Sequence, residues 1–537
     1  MPAITSLGAA AEYLERKRNP HGSSEHFRTK CSNAITAQNH VELNGNESGR
    51  PENQNVAGSG ADLQRPILMG MLGTIILWAI LTPATFAERT PNIVIMFTDD
   101  QGYGDLSCFG SKDIPTPHID KLATEGVRFT DFYASQPVCS ASRASLLTGC
   151  YANRVGIKGA LFPDAKIGLD PAEHTIAEVV KPLGYATACF GKWHLGFQKK
   201  FLPISQGFDR YIGIPYSNDM WPGIPERGKG YPALPWYNDA EVAKTIDDLD
   251  DQETITKELT EAAVGFIHDN GEKPFLLYVP HSMPHVPLGV TTRFRQTTKY
   301  GMYGDVIREI DWSIGEIRKA LEEEGVLDDT LIVFTSDNGP WLNFGDHAGL
   351  TGGLREGKGT TFEGGVRVPC VMRYPRLIPA GSECNQPAMT IDLLPSVVEL
   401  TGGKSPELEI DGKSIVPLMR GDKDAVSPHD AYYYWYLDSQ LQAMRMGKWK
   451  LHFPHGYRSL QGRAPGNNGN AAPYTYNIPI ELSLFDLETD RNETTNVIEK
   501  HRDIAEKMMA MADKKRAELG DSLTKVTGNE VRGPGKM

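Results

Sequence analysis

The chain has 537 residues, a net charge of -13, 40% hydrophobic and 23% charged side chains, and seven cysteines. That much apolar surface supports a large core in two domains, or in one large domain with an appendage, and excludes disorder as the main theme. The acidic balance excludes a general nucleic-acid binder, and cysteines this sparse and odd in number exclude a disulfide scaffold.

Residues 1–64 are polar and rich in Asn, Gly, Ser and Glu, and read as a disordered leader or the product of an upstream start codon. Arg65 then precedes an apolar stretch from Ile67 to Leu81, and Thr85-Phe86-Ala87 follows. A cation, an apolar run and a small-residue cleavage site describe a secretory signal peptide over 65–87. The run falls short of the ~20 residues a membrane span needs, so an exported protein is expected: periplasmic or extracellular, or lysosomal-type in a eukaryote.

The next segments alternate. Asn92–Thr98 is a nearly continuous apolar run, the pattern of a strand buried on both faces, and it ends in Asp99-Asp100. A helix is predicted over 139–147, stopped by Gly149. Cys139 stands at its N-terminus with Arg143 one turn below, which reads as a nucleophile with a lowered pKa. A helix over 175–183 leads to a strand over 185–190, followed by Gly191-Lys192-Trp193-His194. A helix over 255–268 leads to a strand over 274–279, followed by His281-Ser282-Met283-Pro284-His285. An amphipathic helix over 306–323 leads to a strand over 331–335, followed by Ser336-Asp337-Asn338-Gly339.

Helix, apolar strand, polar cluster: this alternation predicts an α/β domain over 88–424, with a large, mostly parallel central sheet flanked by helices. Ligands in such sheets bind past the carboxyl ends of strands, and four of those ends carry residues able to bind metal or move protons. Asp99, Asp100, Asp337 and Asn338 offer only oxygen, the donor set of calcium or magnesium rather than zinc. An Asp after a strand is often only a turn residue or cap; two matching pairs favour metal. The last part changes character. Short strands over 432–437, 442–446, 449–453 and 482–485 and a helix over 504–519 predict a small C-terminal antiparallel sheet-plus-helix domain over 425–537, with a Gly/Asn/Pro-rich loop over 462–473.

Cys139-Ser140-Ala141-Ser142-Arg143, continuing to Thr148-Gly149, resembles the signature of the sulfatase family. So do, in order, the 92–100 strand, Gly191-Lys192-Trp193-His194-Leu195-Gly196, Ser336-Asp337-Asn338-Gly339 and Gly357-Lys358-Gly359-Thr360-Thr361-Phe362-Glu363-Gly364-Gly365. The stretch from Gly207-Phe208 to Ser217-Asn218-Asp219 resembles the arylsulfatase A branch. The resemblance implies an alkaline-phosphatase-like fold and a sulfuric ester hydrolase. It implies that a maturation enzyme converts Cys139 to formylglycine, whose hydrate attacks sulfur with one hydroxyl and expels sulfate through the other. Asp99, Asp100, Asp337 and Asn338 would hold a calcium-like ion, completed by residue 139. Arg143 and Lys192 would orient the diol, with Lys192 also near the substrate, and His194 would take a proton from it. His285 and Lys358 would bind sulfate and help protonate the leaving oxygen, with Ser217 a further sulfate contact; His281 fits the pattern less well. Ala141 stands where the commoner form of the signature has Pro.

Two other readings share these residues. A phosphate or phosphonate ester hydrolase of the same superfamily would carry Ser or Thr as nucleophile and more His ligands. An inactive sulfated-glycan-binding homologue would have lost the nucleophile, a lysine or a metal carboxylate. The expected substrate is an aryl sulfate or a sulfated carbohydrate, selected by loops such as 218–239, rich in Trp, Tyr, Pro and Gly.

Overall fold

The computed structural model describes residues 90–223 and 230–537; the expected leader over 1–64 and the expected signal peptide over 65–87 fall outside the described residues, as do 224–229 within the 218–239 loop. Ten strands form the main sheet: β1 (Asn92–Thr98), β2 (Val127–Phe129), β3 (Ala186–Lys192), β4 (Arg210–Ile214), β5 (Leu234–Asn238), β6 (Glu241–Ile246), β7 (Phe275–Pro280), β8 (Thr330–Ser336), β9 (Cys370–Arg373) and β10 (Ser382–Cys384). Their spatial order is β10-β2-β9-β8-β1-β7-β3-β4-β5-β6. The central run β8-β1-β7-β3-β4 is parallel throughout.

The flanks are mixed. β9 pairs antiparallel with β8 and β2, and β5 pairs antiparallel with β4 and β6. The reason is local at β5–β6. Asn238 pairs with Glu241 across a two-residue turn in which Asp239 takes φ 56°, and so tight a turn joins only antiparallel strands.

Side chains of β1 alternate between two cores. Ile93, Ile95 and Phe97 pack with α2 (Cys139–Thr148), α3 (Ile176–Val180) and α6 (Leu393–Thr401). Val94 and Met96 pack with α1 (Pro117–Thr124), α4 (Leu249–Asn270) and α5 (Met302–Glu323). Helices on both faces explain why β1 is apolar at almost every position. Several boundaries differ from expectation, two of them for a visible local reason. α3 is short, opened by a Thr175/Glu178 capping box, and passes into a 3-10 turn at Lys181–Leu183 that contains Pro182. α4 begins at Leu249, upstream of 255, because the Asp248 side chain accepts the Asp251 N–H at 2.9 Å.

The C-terminal strands are β11 (Tyr432–Tyr436), β12 (Gln440–Met446), β13 (Trp449–His452), β14 (His455–Ser459), β15 (Thr475–Ile480) and β16 (Ser483–Asp486). The order β11-β12-β13-β16 makes one antiparallel sheet, and β14 with β15 makes a separate hairpin around the 462–473 loop. Ala505, Met508, Ala512 and Leu519 of α7 (Arg502–Leu519) fill the core beneath the sheet. Tyr151 of the larger layer meets Trp435 of β11 edge-on, with ring centroids 5.1 Å apart.

Ile95 is fully enclosed in the most central strand. Ile95→Ala should lower unfolding free energy by about 2–5 kcal/mol, seen as a lower denaturation midpoint with an unchanged far-UV spectrum.

Candidate active site

Register builds the site before any side chain is considered. Thr98 lies opposite Ser336, so Asp99-Asp100 and Asp337-Asn338 leave the sheet side by side. On the other side of β1, Phe97 lies opposite Pro280, which places the 281–285 loop next to them. β3 follows, and Lys192 at its end lies opposite Ile214, just before Ser217. The backbone sews these ends together: Asp337 N–H donates to Thr98 at 3.0 Å and Asp99 N–H donates to Met283 at 3.3 Å.

The side chains then interlock, all of them buried. Arg143, projecting from α2, donates to Asp337 Oδ2 at 2.9 Å and to the Lys192 carbonyl at 3.0 Å, and lies 3.3 Å from Asp99 Oδ2. Lys192 pairs with Asp99 and donates to Ser217 Oγ at 3.0 Å. Lys358 donates to Asp100 at 2.8 Å, and its ammonium lies 4.5 Å from the Trp341 ring centroid. Asn338 donates to Asp100 Oδ1 at 2.7 Å. His285 Nε2 lies 3.6 Å from Asp100 Oδ2. Every residue singled out in the sequence except His281 thus joins one set of contacts or flanks it.

Charges this deep shift one another. Burial opposes the Asp99 charge, yet Lys192 and Arg143 hold its carboxyl well below the usual carboxylate range. Burial, and then the Asp99 charge, push Asp337 up to about 7 against the pull of Arg143. Burial, reinforced by Lys192 and Arg143, keeps His194 neutral. Its Nε2 lies 2.8 Å from the Leu161 carbonyl oxygen, so Nε2 carries the proton and Nδ1 keeps its lone pair with no partner. Asp100 and His194 both sit at positive φ, 64° and 61°, a backbone strain that collects at functional sites.

One expectation needs correcting. The Cys139 thiol is not activated: it is 3% exposed, and burial pushes its pKa up although Lys192 and Lys358 pull it down. Desolvation outweighs the helix terminus here, and both terminal nitrogens of Arg143 are directed at Asp337 and the Lys192 carbonyl, leaving Nε without a partner. His281 stands apart, buried with neither ring nitrogen partnered and its pKa lowered to about 4 by burial.

The donor set fits a hard divalent cation. Asp99 Oδ1 and Asn338 Oδ1 are buried oxygens with no hydrogen-bond partner, and Asn338 commits its amide N–H groups to Asp100 and Gly339. Ligand atoms of Asp99, Asp100 and His285 lie within 4.8 Å of one another. His285 extends the oxygen-only set that the sequence suggested. Trp341 was missed in the sequence, although it stands just past the Asp337-Asn338-Gly339 cluster; its ring centroid is 5.4 Å from that of His285. Gly339 is required: a side chain there would run into the Gly364 carbonyl, which joins this cluster to the 357–365 motif.

Fold and site together define an enzyme of anionic ester hydrolysis built on the carboxyl ends of the parallel central strands of a mixed sheet. The sulfatase family model matches residues 91–403, and a second, described as the C-terminal region of aryl-sulfatase, matches 427–532. A third, N-sulphoglucosamine sulphohydrolase, C-terminal, matches 357–451. The chain belongs to the sulfatase family and is a sulfuric ester hydrolase. It is 36% identical to arylsulfatase A of Homo sapiens over 442 residues, covering 76% of this chain and 84% of that one. It is 32% identical to steryl-sulfatase of Mus musculus over 546 residues, covering 85% and 87%. Among solved structures, the PsFucS1 sulfatase from Pseudoalteromonas sp. superposes with a TM-score of 0.72 at 28% identity, covering 83% of this chain and 92% of that one. Another neighbour, Ps i-CgsB in complex with k-i-k-neocarrahexaose, has a TM-score of 0.65 at 27% identity, covering 80% and 93%.

A buried thiol with a raised pKa reacts slowly. Protein carrying unconverted Cys139 should be alkylated by iodoacetamide at pH 7 far more slowly when native than in denaturant, followed by the mass of the 129–143 tryptic peptide.

Proposed function

We propose that the protein cleaves an aryl sulfate or a sulfated carbohydrate using a formylglycine derived from Cys139 and a calcium ion, with magnesium the alternative. What carries the reading is the convergence of Asp99, Asp100, Asp337, Arg143, Lys192 and Lys358 around α2's first residue, with two buried oxygens left for a cation. Asp99, Asp100, Asp337 and Asn338 are the residues to hold the ion, with residue 139 beside them. A hydrated formyl group supplies the attacking hydroxyl and, by reverting to aldehyde, a way to release sulfate without waiting for water.

The chain's own groups do the rest. Arg143 and Lys192 orient residue 139, and Ser217, held by Lys192, lies ready for a sulfate oxygen. His194 takes a proton at Nδ1, since Nε2 is committed to Leu161. Lys358 and His285 lie on the Asp100 side, where they bind sulfate; Lys358 delivers a hydrogen bond to the leaving oxygen, and His285 does so at Nε2 only as the imidazolium, because its Nδ1–H is committed to the Val286 carbonyl at 2.6 Å. Support for a glycan substrate comes from relatives such as N-acetylgalactosamine-6-sulfatase of Canis lupus familiaris, 34% identical over 397 residues, covering 71% of this chain and 74% of that one. The signal-peptide pattern supports export, conversion of Cys139 needs a maturation enzyme in the host, and no described helix is long and apolar enough to cross a membrane. The proposed division is a catalytic domain over 88–424 and a C-terminal domain over 425–537.

The phosphatase reading is disfavoured by the cysteine and by a site built mostly of oxygen ligands. Purified protein should turn over 4-nitrophenyl sulfate faster than 4-nitrophenyl phosphate; the reverse order defeats the assignment of substrate. Cys139→Ala should lose on the order of a millionfold in kcat, and the native 129–143 peptide should show the mass of formylglycine. Asp337→Ala should weaken calcium binding measured by calorimetry, a readout that does not need turnover.

A further inference from the structure

Lys358 is held from three directions through its backbone. Its own N–H donates to the Pro340 carbonyl at 2.9 Å, beside the Asp337-Asn338 cluster. The next N–H, of Gly359, donates to the Pro137 carbonyl at 2.9 Å, two residues before Cys139. The third hold comes from far along the chain. Arg458, on β14 of the C-terminal hairpin, directs both Nε and Nη2 at the Lys358 carbonyl oxygen, with Nε at 3.1 Å.

Three further features fit this contact. The Arg458 guanidinium lies over the Tyr474 ring, 4.8 Å from its centroid, which fixes the plane of the fork. Tyr474 is tied back toward the site, because its hydroxyl accepts the Asn343 N–H at 3.2 Å. Gly359 takes φ 77°, and a Cβ there would lie 2.6 Å from Arg458 Nε. The glycine after the lysine is therefore the space the guanidinium occupies. Its place in the Gly-Lys-Gly motif has a packing cause as well as a conformational one.

We propose that Arg458 is a positioning residue for Lys358. The C-terminal hairpin sets where the Lys358 ammonium meets the sulfate ester's bridging oxygen. Two donors on one carbonyl fix the peptide's orientation and so the start of the lysine side chain. Asp100 and the Trp341 face guide its end. Arg458 touches no reacting atom; it acts through Lys358. The inference deepens the function proposed above and rests on Lys358 stabilising the leaving oxygen.

Dependence on the leaving group provides the test. A nitrophenolate departs with little help, whereas a sugar or alkyl alkoxide depends on a donor at the bridging oxygen. Arg458→Gln should cost about 100-fold in kcat/KM on an alkyl or sugar sulfate, the scale of a 1 Å misplacement, and much less on 4-nitrophenyl sulfate. Arg458→Lys, which keeps the charge but not the fork, should recover part of the loss and serves if the Gln variant does not fold. Equal losses on both substrates would mean only a structural role and overturn the proposal, as would no loss on either. Lys358→Gln separates the two levels. If it lacks the leaving-group gradient, the reading of Lys358 itself fails. If it shows the gradient and the Arg458 variants do not, positioning alone fails.

Discussion

Mutual neutralisation of buried charge at the carboxyl edge of the sheet is the constraint on which everything else rests. Asp99, Asp100 and Asp337 share a nearly dry space with Arg143, Lys192 and Lys358. Each ion alone would carry a desolvation penalty of several kcal/mol, and removing one partner strands the other. The penalty is tolerable because the sheet register delivers the carboxylates in adjacent strand ends while α2, β3 and the 357–365 motif deliver the cations. Position here is a backbone property. Shifting β8 by one residue against β1 would part Asp337 from Asp99 and turn each β8 side chain toward the core on the opposite face.

The balance of three negative and three positive groups has a second implication. It leaves no local surplus to attract an anionic ester, even before the overall charge of -13 is considered. A divalent cation seated on the unpartnered oxygens of Asp99 and Asn338 would create that surplus where the ester binds. Asp337, raised first by burial and then by the Asp99 charge, carries a repulsion that a shared cation would relieve, whereas Lys192 and Arg143 already stabilise the charge on Asp99.

Much of this was legible in the residues, for identifiable reasons. Buried parallel strands leave continuous apolar runs, so β1, β7 and β8 stood out, and the polar clusters after them marked the site. The mixed flank did not stand out, since β2, β9 and β10 are three or four residues long and their pairing, antiparallel for β9 and parallel between β10 and β2, is decided by distant contacts. The state of Cys139 was misjudged because helix position is visible in a sequence and burial is not. Trp341 and Arg458 were invisible for another reason. Nothing near Arg458 in the chain marks it, and its contact with Lys358 spans a hundred residues.

Consider finally what the burial of Cys139 means for the order of events in the cell. All ten residues of α2 are enclosed, and the cysteine is surrounded by charged side chains from four other stretches of chain, Asp99, Lys192, Asp337 and Lys358. No other protein's active site can close around a side chain so placed. An enzyme that converts Cys139, as proposed above, would therefore meet the 139–149 segment as an extended or nascent peptide, before the strands on either side have joined. Under the proposed conversion, maturation and folding would compete for the same chain, and a chain that folds too quickly would seal in an unconverted thiol.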